Sequence, residues 1–293
     1  MRFTITVTIL FSGFISYGQK AIEDLNTLQG IWIAEDYHNS FENTKSAIKS
    51  KNAFDYNYPV GLRINPIEIK NGVLNIGYAE LHDHIIHPEV SDYIVKNNDT
   101  IREFSFNVNL RQKDSSGYYK TSDIHYFNYD WVSYLTWNVN DNSISLYRPE
   151  GNEHAERFIK YIRVTNGFDN DHLFPNPLYY YTRQKTLKGT YTLKDNEGTV
   201  LSKNFQIDEN GIANGYGKFE NFTFYFSTDI YCGPPINYDL IIGYEDVLTE
   251  ESKTFVFLLV INEDGNISLH KKEMNNTTHS YELGEKAYEL IKN

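Results

Sequence analysis

The sequence predicts an all-β protein built from two tandem antiparallel modules. A short phrase occurs twice, at residues 27–33 and at residues 186–192, and each copy places Leu-x-Gly-x-aromatic at the head of a β-rich stretch. Segments of alternating polarity recur at intervals of about 8–12 residues with turn residues between them, which is typical of sandwiches and barrels. Self-similarity on this scale indicates repeated structural units.

Residues 1–18 have the pattern of a secretory signal peptide. Arg2 supplies a positive charge, residues 3–15 are mostly apolar, and residues 16–18 offer a small-x-small cleavage pattern that leaves Gln19 as the mature start. The alternative is a buried N-terminal strand. The apolar run is shorter than a membrane-spanning helix requires, and no cysteine follows the cleavage pattern. We therefore expect an exported protein, periplasmic or secreted, that is not a lipoprotein and has no transmembrane segment.

Charge and cysteine content narrow the range of partners. The formal net charge of −12 is a poor match for phosphate backbones and anionic membranes, so nucleic acid is not expected as a partner. Cys232 is the only cysteine, which excludes an intramolecular disulfide. The chain has 24 Tyr and 18 Phe residues, which strands favour but which ligand pockets also use. Aromatic content alone therefore does not establish a binding site.

The first module is expected to span residues 19–165 and to open with a strand over residues 30–37. A short helix follows, with Ser40 as its N-cap and its end near Ser50. Asn71-Gly72 between two alternating segments is a strong hairpin signal. The further strands are predicted at residues 101–110, 118–129, 131–139, 143–148 and 158–164.

A linker over residues 166–185 is expected next, because Gly, Asp, Asn and Pro interrupt the pattern there. The second, shorter module spans residues 186–293. Phe222, Phe224 and Phe226 share one strand face, and residues 255–261 are apolar on both faces, as in a fully buried strand. Apolar residues at helical spacing over 285–291 predict a short C-terminal helix.

The two opening phrases resemble those of lipocalin-like, calycin-type β-barrels. The matching residues are Gly30 with Trp32 and Gly189 with Tyr191; Tyr replaces Trp in the second copy. The resemblance implies two tandem antiparallel lipocalin-like barrels with short helical additions, in which the aromatic residue packs at the closed end. A barrel of roughly eight strands can hold one small ligand. The overall composition is similar to that of exported proteins of Gram-negative bacteria.

The histidines that follow the predicted hairpin at Asn71-Gly72 are the strongest candidates for a metal or catalytic site. His82 and His84 would project from the same face of a continuing strand, a spacing suited to Zn²⁺, and His87 is a candidate third ligand. Asp83, His125 and His38 are other candidates to complete the ligand set. Two alternatives remain: a solvated cluster at the rim of the module, and a polar patch that contacts a ligand. No nucleophile elbow or phosphate-binding loop is present in the sequence.

A set of aromatic residues is the second candidate site. Tryptophan in a cavity often uses its N–H to contact the polar end of a ligand, although ordinary core packing explains the same pattern. The candidate ligand-binding residues are Trp32, Tyr78, Tyr129, Trp131 and Trp137.

From these observations we expect a non-catalytic, extracytoplasmic binding protein for a small, partly apolar ligand or a glycan. One alternative is a structural or protein-interaction module of the cell envelope. The other is a metal-dependent enzyme centred on His82 and His84, in which a metal-bound water would be activated.

Overall fold

The structure is a computed structural model, and the fold is mostly β, with two antiparallel sheets, one of them a half-barrel. The mostly-β prediction is confirmed. The structure describes residues 29–54, 59–64, 73–79, 81, 104–113, 118–121, 124–125, 132–138, 143–148, 157–167, 176–227, 236–245 and 253–293. Within these ranges, no helix combines the length and the apolar character that crossing a bilayer would take.

The first sheet contains nine strands, and each neighbouring pair is antiparallel where the register is defined. The strands are β1 Gly30–Ala34, β2 Gly61–Ile64, β3 Val73–Ala79, β4 Phe104–Lys113, β5 Tyr118–Thr121, β6 Ile124–His125, β7 Val132–Asn138, β8 Ser143–Arg148 and β9 Arg157–Thr165.

Strand order in the first sheet follows the chain, with the first and last strands side by side. The order is β5-β4-β3-β2-β1-β9-β8-β7-β6, and β5 also pairs with β7. This additional pairing connects the two halves of the sheet, so the hydrogen-bonded order returns to its starting point.

The second sheet contains eight strands and repeats this connectivity. The strands are β10 Gly189–Asp195, β11 Val200–Ile207, β12 Ala213–Asn214, β13 Phe222–Ser227, β14 Asp239–Glu245, β15 Thr254–Ile261, β16 Ile267–Asn275 and β17 Ser280–Lys292. Their order is β12-β11-β10-β17-β16-β15-β14-β13, so the first long strand again pairs with the last.

The second sheet is curved, and residues next to its two edge strands are hydrogen-bonded to each other. A single bridge joins Ile212 to Thr223, and the Phe224 N–H donates to the Gly211 carbonyl at 2.8 Å. One ring, that of Phe219, contacts rings carried by β11, β13, β15 and β17, which alternate across the sheet. A flat sheet could not bring all four strands to the same side chain.

Two helices lie between β1 and β2. Helix α1 (Glu35–Thr44) begins directly after β1 with two acidic residues in its first turn, where the helix dipole favours negative charge. It ends at Lys45, whose φ of 50° is left-handed. Helix α2 (Ala47–Ser50) follows, with the Ser46 side chain accepting from the Lys49 N–H at 3.1 Å, and a 3₁₀ turn covers Lys51–Ala53.

Helix α3 (Pro177–Thr186) precedes the second sheet. The Asn176 side chain accepts from the N–H groups of Leu178 and Tyr179, and Pro177 occupies the first turn, where its missing N–H costs nothing. Tyr179 packs edge-on against Tyr225 of β13 at 5.9 Å. The helix therefore covers one face of the second sheet.

The chain divides into two compact units, one around each sheet. The second unit includes residues 36–60, which follow β1, as well as the C-terminal part from residue 169. The sequence analysis had assigned residues 36–60 to the first module. Both α1, apart from its first residue, and α2 belong to the second unit.

Several predicted elements need correction. The predicted C-terminal helix is wrong, because residues 280–292 form β17, with Tyr288 and Leu290 buried on alternating positions. The second half of the predicted linker is α3. The first strand ends at Ala34, and the helix predicted over residues 40–50 is two helices that begin earlier, at Glu35.

Candidate functional site

Trp32, the first of the predicted ligand-binding residues, is fully buried in β1. All five residues of this strand are buried, so both of its faces are covered. Gly30 begins the strand with a φ of +133°, and a Cβ there would lie 2.0 Å from the Thr165 carbonyl oxygen. Only glycine permits β9 to approach β1 this closely.

The cation Arg163 lies against Trp32. It is the register partner of Trp32 on β9, and its guanidinium carbon lies 5.1 Å from the centroid of the indole. This is a cation–π distance. Burial lowers the pKa of Arg163 from its usual value, because partial removal of the guanidinium from water disfavours its charged form.

The other described residues of this sheet face are apolar except for the Tyr161 hydroxyl. Paired residues of antiparallel strands project to the same side, so the register assigns the members of the face. We name it the Trp32 face; its described members besides Trp32 and Arg163 include Ala34, Leu62, Ile64, Ile144, Leu146, Ile159 and Tyr161, all buried. On the opposite side of β9, Phe158 is 62% exposed and Lys160 pairs with Glu35 at 2.9 Å.

The second sheet places Tyr191 at the equivalent position. Its register partner on the last strand is Lys292, as Arg163 is the partner of Trp32. The Tyr191 hydroxyl donates to the Leu187 carbonyl at 2.8 Å, just after α3. Burial raises the pKa of Tyr191 to about 12.

The concave side of the second sheet is filled by aromatic rings. Phe219 is 1% exposed and lies at the centre of the cluster. Its ring centroid is 5.1 Å from those of both Phe255 and Tyr288 and 5.5 Å from that of Phe224, each in an edge-to-face arrangement. Such contacts add to the stabilisation from burial alone.

A charged cluster joins α1 to α3 in the second unit. The Glu42 carboxylate pairs with Lys45 and lies 2.6 Å from Lys185 Nζ, and the Tyr181 hydroxyl donates to it at 3.2 Å. Burial would raise the pKa of Glu42, but the hydrogen bonds and attraction from the two lysines outweigh it and lower that pKa to about 2. Burial and the Glu42 carboxylate together raise the pKa of Tyr181.

These shifts argue against acid–base chemistry at the charged cluster. A carboxylate with a pKa of about 2 is a weak base at neutral pH, because general bases work best with a pKa near the working pH. A phenol whose pKa is raised stays protonated. The cluster instead fixes α1 against α3, with the Phe41 ring 5.5 Å from Tyr181 and 5.8 Å from Phe226.

Asp239 fixes α2 to the start of β14. Its carboxylate accepts from the Ile48 N–H at 3.0 Å and also receives hydrogen bonds from the Ala47 N–H and the Ser46 side chain. Burial raises the pKa of Asp239, and these three bonds act in the opposite direction. The contact caps a four-residue helix and has a structural role.

The structure brings few of the sequence-predicted site residues together. Tyr78 lies in β3 and Trp137 in β7, where Trp137 is the register partner of Ile144, a member of the Trp32 face. The remaining predicted residues, Tyr129, Trp131, His82, His84 and His87, lie outside the described residues.

The described parts of the chain contain no group of three or more His, Cys, Asp or Glu residues placed to hold a metal ion. One candidate for the ligand set, His38, lies on α1 with Nε2 3.6 Å from Glu42 Oε1 and its ring 5.6 Å from that of Tyr181. The zinc hypothesis for His82, His84 and His87 stays a prediction.

Sequence reasoning missed Arg163 and Phe219. Arg163 follows Ile159 and Tyr161 at a spacing of two along β9, so strict alternation would have placed it on the same buried face. Phe219 had a signal in the glycines at positions 215 and 217, which indicate a tight turn. Neither signal identifies the ring that each side chain contacts.

No protein-family model, curated protein or solved structure matches this chain.

Proposed function

We propose that this chain is an exported, non-catalytic binding protein made of two tandem lipocalin-like barrels, and that it holds a small, partly apolar ligand or a glycan in the first one. Support for the architecture comes from the connectivity. Both sheets follow the chain in antiparallel order, pair their first strand with their last, and open on Gly-x-aromatic. The repeated phrase therefore coincides with a repeated topology.

The chemistry of the Trp32 face is the main support for the binding function. Ligand sites are lined mainly by apolar side chains with a few polar groups that orient the ligand. The described members of this face are apolar except for the Tyr161 hydroxyl and the Arg163 guanidinium. Because the charge of Arg163 is partly removed from water, this residue suits the polar or anionic end of a ligand whose apolar part lies along the sheet.

A second candidate function is a structural or protein-interaction role in the cell envelope. The ring cluster around Phe219 favours it, since a sheet whose concave side is packed by its own residues acts as a solid scaffold. Under this alternative, exposed loops contact the partner. The two functions are compatible if the first unit binds the ligand and the second unit serves as a scaffold. The metal-dependent alternative at His82 and His84 is tested by elemental analysis of the purified protein for zinc.

Native mass spectrometry of protein purified from its own host tests the binding function. We expect a bound small molecule, and we expect Arg163→Gln to lower the bound fraction severalfold. Lys160→Gln is the matched control, because Lys160 is on the same strand but on the opposite, exposed side. Wild-type protein that carries no small molecule, or equal losses in both variants, would contradict a site on the Trp32 face.

A further inference from the structure

The turn between β12 and β13 has one buried residue in an otherwise accessible segment. We name residues 215–221 the Phe219 turn. Phe219 is 1% exposed, whereas the other residues of the turn are exposed or half-buried. The turn therefore contributes a single side chain to the interior of the second sheet.

The ring of Phe219 occupies a site made of other rings. It contacts side chains that come from four strands and from the turn itself, mostly edge to face. The centroid distances are 5.1 Å to Phe255, 5.1 Å to Tyr288, 5.5 Å to Phe224, 5.6 Å to Tyr216, 6.1 Å to Phe205 and 6.4 Å to Phe222. The space that this ring fills therefore has the size and the quadrupole pattern that a planar aromatic molecule requires.

The backbone of the turn is attached at its two ends. Gly215 has a φ of +89°, and a Cβ there would lie 2.5 Å from the Asn204 carbonyl oxygen; Asn221 has a φ of 63°. The Asn221 N–H donates to the Ala213 carbonyl at 3.0 Å, and the Phe219 N–H donates within the turn to Tyr216 at 2.8 Å. A change of backbone angles at the two ends would therefore move the turn as one body.

Lys218 holds the turn closed from outside. Its ammonium donates to the Tyr288 hydroxyl at 2.7 Å and lies 5.5 Å and 5.4 Å from the ring centroids of Phe255 and Tyr288. When the turn moves away, Phe219 and Lys218 leave together. Tyr288 then has an aromatic neighbourhood on one side and a hydroxyl oxygen that can accept from a ligand.

We propose that the Phe219 turn is a gate over a second binding site and that Phe219 is its built-in occupant. The ligand is a planar aromatic molecule with an N–H or O–H donor: its ring takes the place of the Phe219 ring, and its donor replaces Lys218 at the Tyr288 hydroxyl. This goes beyond the proposed function, because the site lies in the second sheet and does not involve the Trp32 face.

Amide hydrogen exchange on the full chain, with and without indole, tests the gate directly. We expect the amides of Phe219 and Asn221 to exchange through a local opening that denaturant hardly affects, while amides of β14 and β15 exchange through global unfolding. Indole should change the exchange and the NMR shifts of residues around Phe219, Phe255 and Tyr288. 1-Methylindole, which lacks the N–H, should bind at least fivefold more weakly.

Two variants shift the population of the open state. Gly215→Ala strains the closed turn, and Phe219→Ala removes the occupant, so indole should bind severalfold tighter to the first and at least tenfold tighter to the second. Gly198→Ala is the matched control: Gly198 has a similar φ of +85° in a turn at the other side of β11, with nothing within 4 Å of its Cβ. It should leave indole affinity unchanged.

Three results would overturn the gate. Turn amides that exchange only with global unfolding would make Phe219 a fixed core residue. Equal indole affinity in wild type and Gly215→Ala would show that opening does not limit binding. Indole shifts confined to the first sheet would place the site there, which would favour the proposed function and not the gate. The exchange experiment needs only the wild-type chain, so it decides even if Phe219→Ala fails to fold.

Discussion

The first strands of the two sheets begin with the same phrase and use it in different ways. In the first sheet, Gly30 is in a conformation that other residues rarely adopt, and Trp32 lies against the Arg163 guanidinium of the last strand. In the second, a Cβ at Gly189 would lie 3.1 Å from the Tyr191 ring, a contact with a side chain and not with the backbone. The Tyr191 hydroxyl bonds to the Leu187 carbonyl beside α3.

This difference shows that the phrase fixes where the aromatic residue lies but leaves open what holds it. A cation from the last strand holds the indole in the first sheet, and the end of a helix holds the phenol in the second. The consequence extends to the interior of each sheet. The first has a charged side chain on its buried face, whereas the concave side of the second contains aromatic rings from its own strands and from the Phe219 turn.

The largest expected loss of stability follows from removing residues 36–54, on which the second unit depends. Replacing residues 35–60, which include this segment, by a short Asn-Gly turn between Ala34 and Gly61 is compatible with the antiparallel pairing of β1 and β2. It removes the buried rings of Tyr37 and Phe41, which stabilise by about 3 to 6 kcal/mol together. We expect the second unit to lose its cooperative unfolding transition, measured by hydrogen exchange.

The first sheet is the internal reference for this deletion, because all three tryptophans precede residue 138 and report on that part of the sequence. Tryptophan fluorescence should still show an unfolding transition. A synthetic peptide of residues 35–54, added in trans, should restore exchange protection in the second unit. A deletion variant that keeps full protection without the peptide would show that the segment is dispensable.

The two opening glycines should respond unequally to the same substitution. Gly30→Ala forces a side chain into a positive φ and against the Thr165 carbonyl, so we expect a loss of about 3 kcal/mol or more. Gly189→Ala should cost less than about 1 kcal/mol, since only the Tyr191 ring must shift. Urea unfolding of each variant measures both values. Equal losses would mean that the two strands impose the same constraint.

Because of Glu42, we expect the stability of the second unit to fall in acid. Its folded pKa of about 2 lies below the usual 4.5, so its contribution is present above pH 4.5 and is lost as the pH falls from 4.5 towards 2. Glu42→Gln should cost about 1 to 2 kcal/mol at neutral pH, discounted for partial exposure, and should flatten this acid dependence. Glu263→Gln, in an exposed turn, is the control and should change neither. An unchanged acid slope in Glu42→Gln would contradict the prediction.

A further small effect on stability concerns the hydroxyl group that holds Tyr191 in place. Tyr191→Phe keeps the ring but removes the hydrogen bond to the Leu187 carbonyl, so we expect a loss of about 1 kcal/mol. Urea unfolding monitored by far-UV circular dichroism measures it. Tyr281→Phe, on a half-buried strand position away from α3, is the comparison. A neutral Tyr191→Phe would show that ring packing alone holds this position.

Strands could be predicted where alternation and turn residues agree. Residues 143–148 form β8 as predicted, and the apolar run at 255–261 lies within β15. The C-terminal segment was mispredicted because Glu, Lys, Ala and Leu favour helix locally, while pairing with both β10 and β16 stabilises a strand instead. Helix α3 was not predicted because its three consecutive tyrosines favour strand locally, although Asn176-Pro177 is a good helix start.

The candidate site was less predictable than the fold. Trp32 could be identified from its phrase, but its contact with Arg163 depends on a pairing between strands more than a hundred residues apart in sequence. The contact of Phe41 with Phe226 depends on a similar separation. A periodic pattern predicts which face a residue occupies; it carries no information about which distant element covers that face.

The contact between Ile48 and Asp239 has a consequence for the order of folding. The two residues are 191 positions apart in sequence. At a synthesis rate of about 5–20 residues per second, Asp239 is therefore made on the order of 10 to 40 seconds after Ile48. During the first part of that time Phe226, whose ring covers Phe41 of α1, has not yet been made. Residues 36–54 therefore complete their packing only after most of the second sheet has been synthesised.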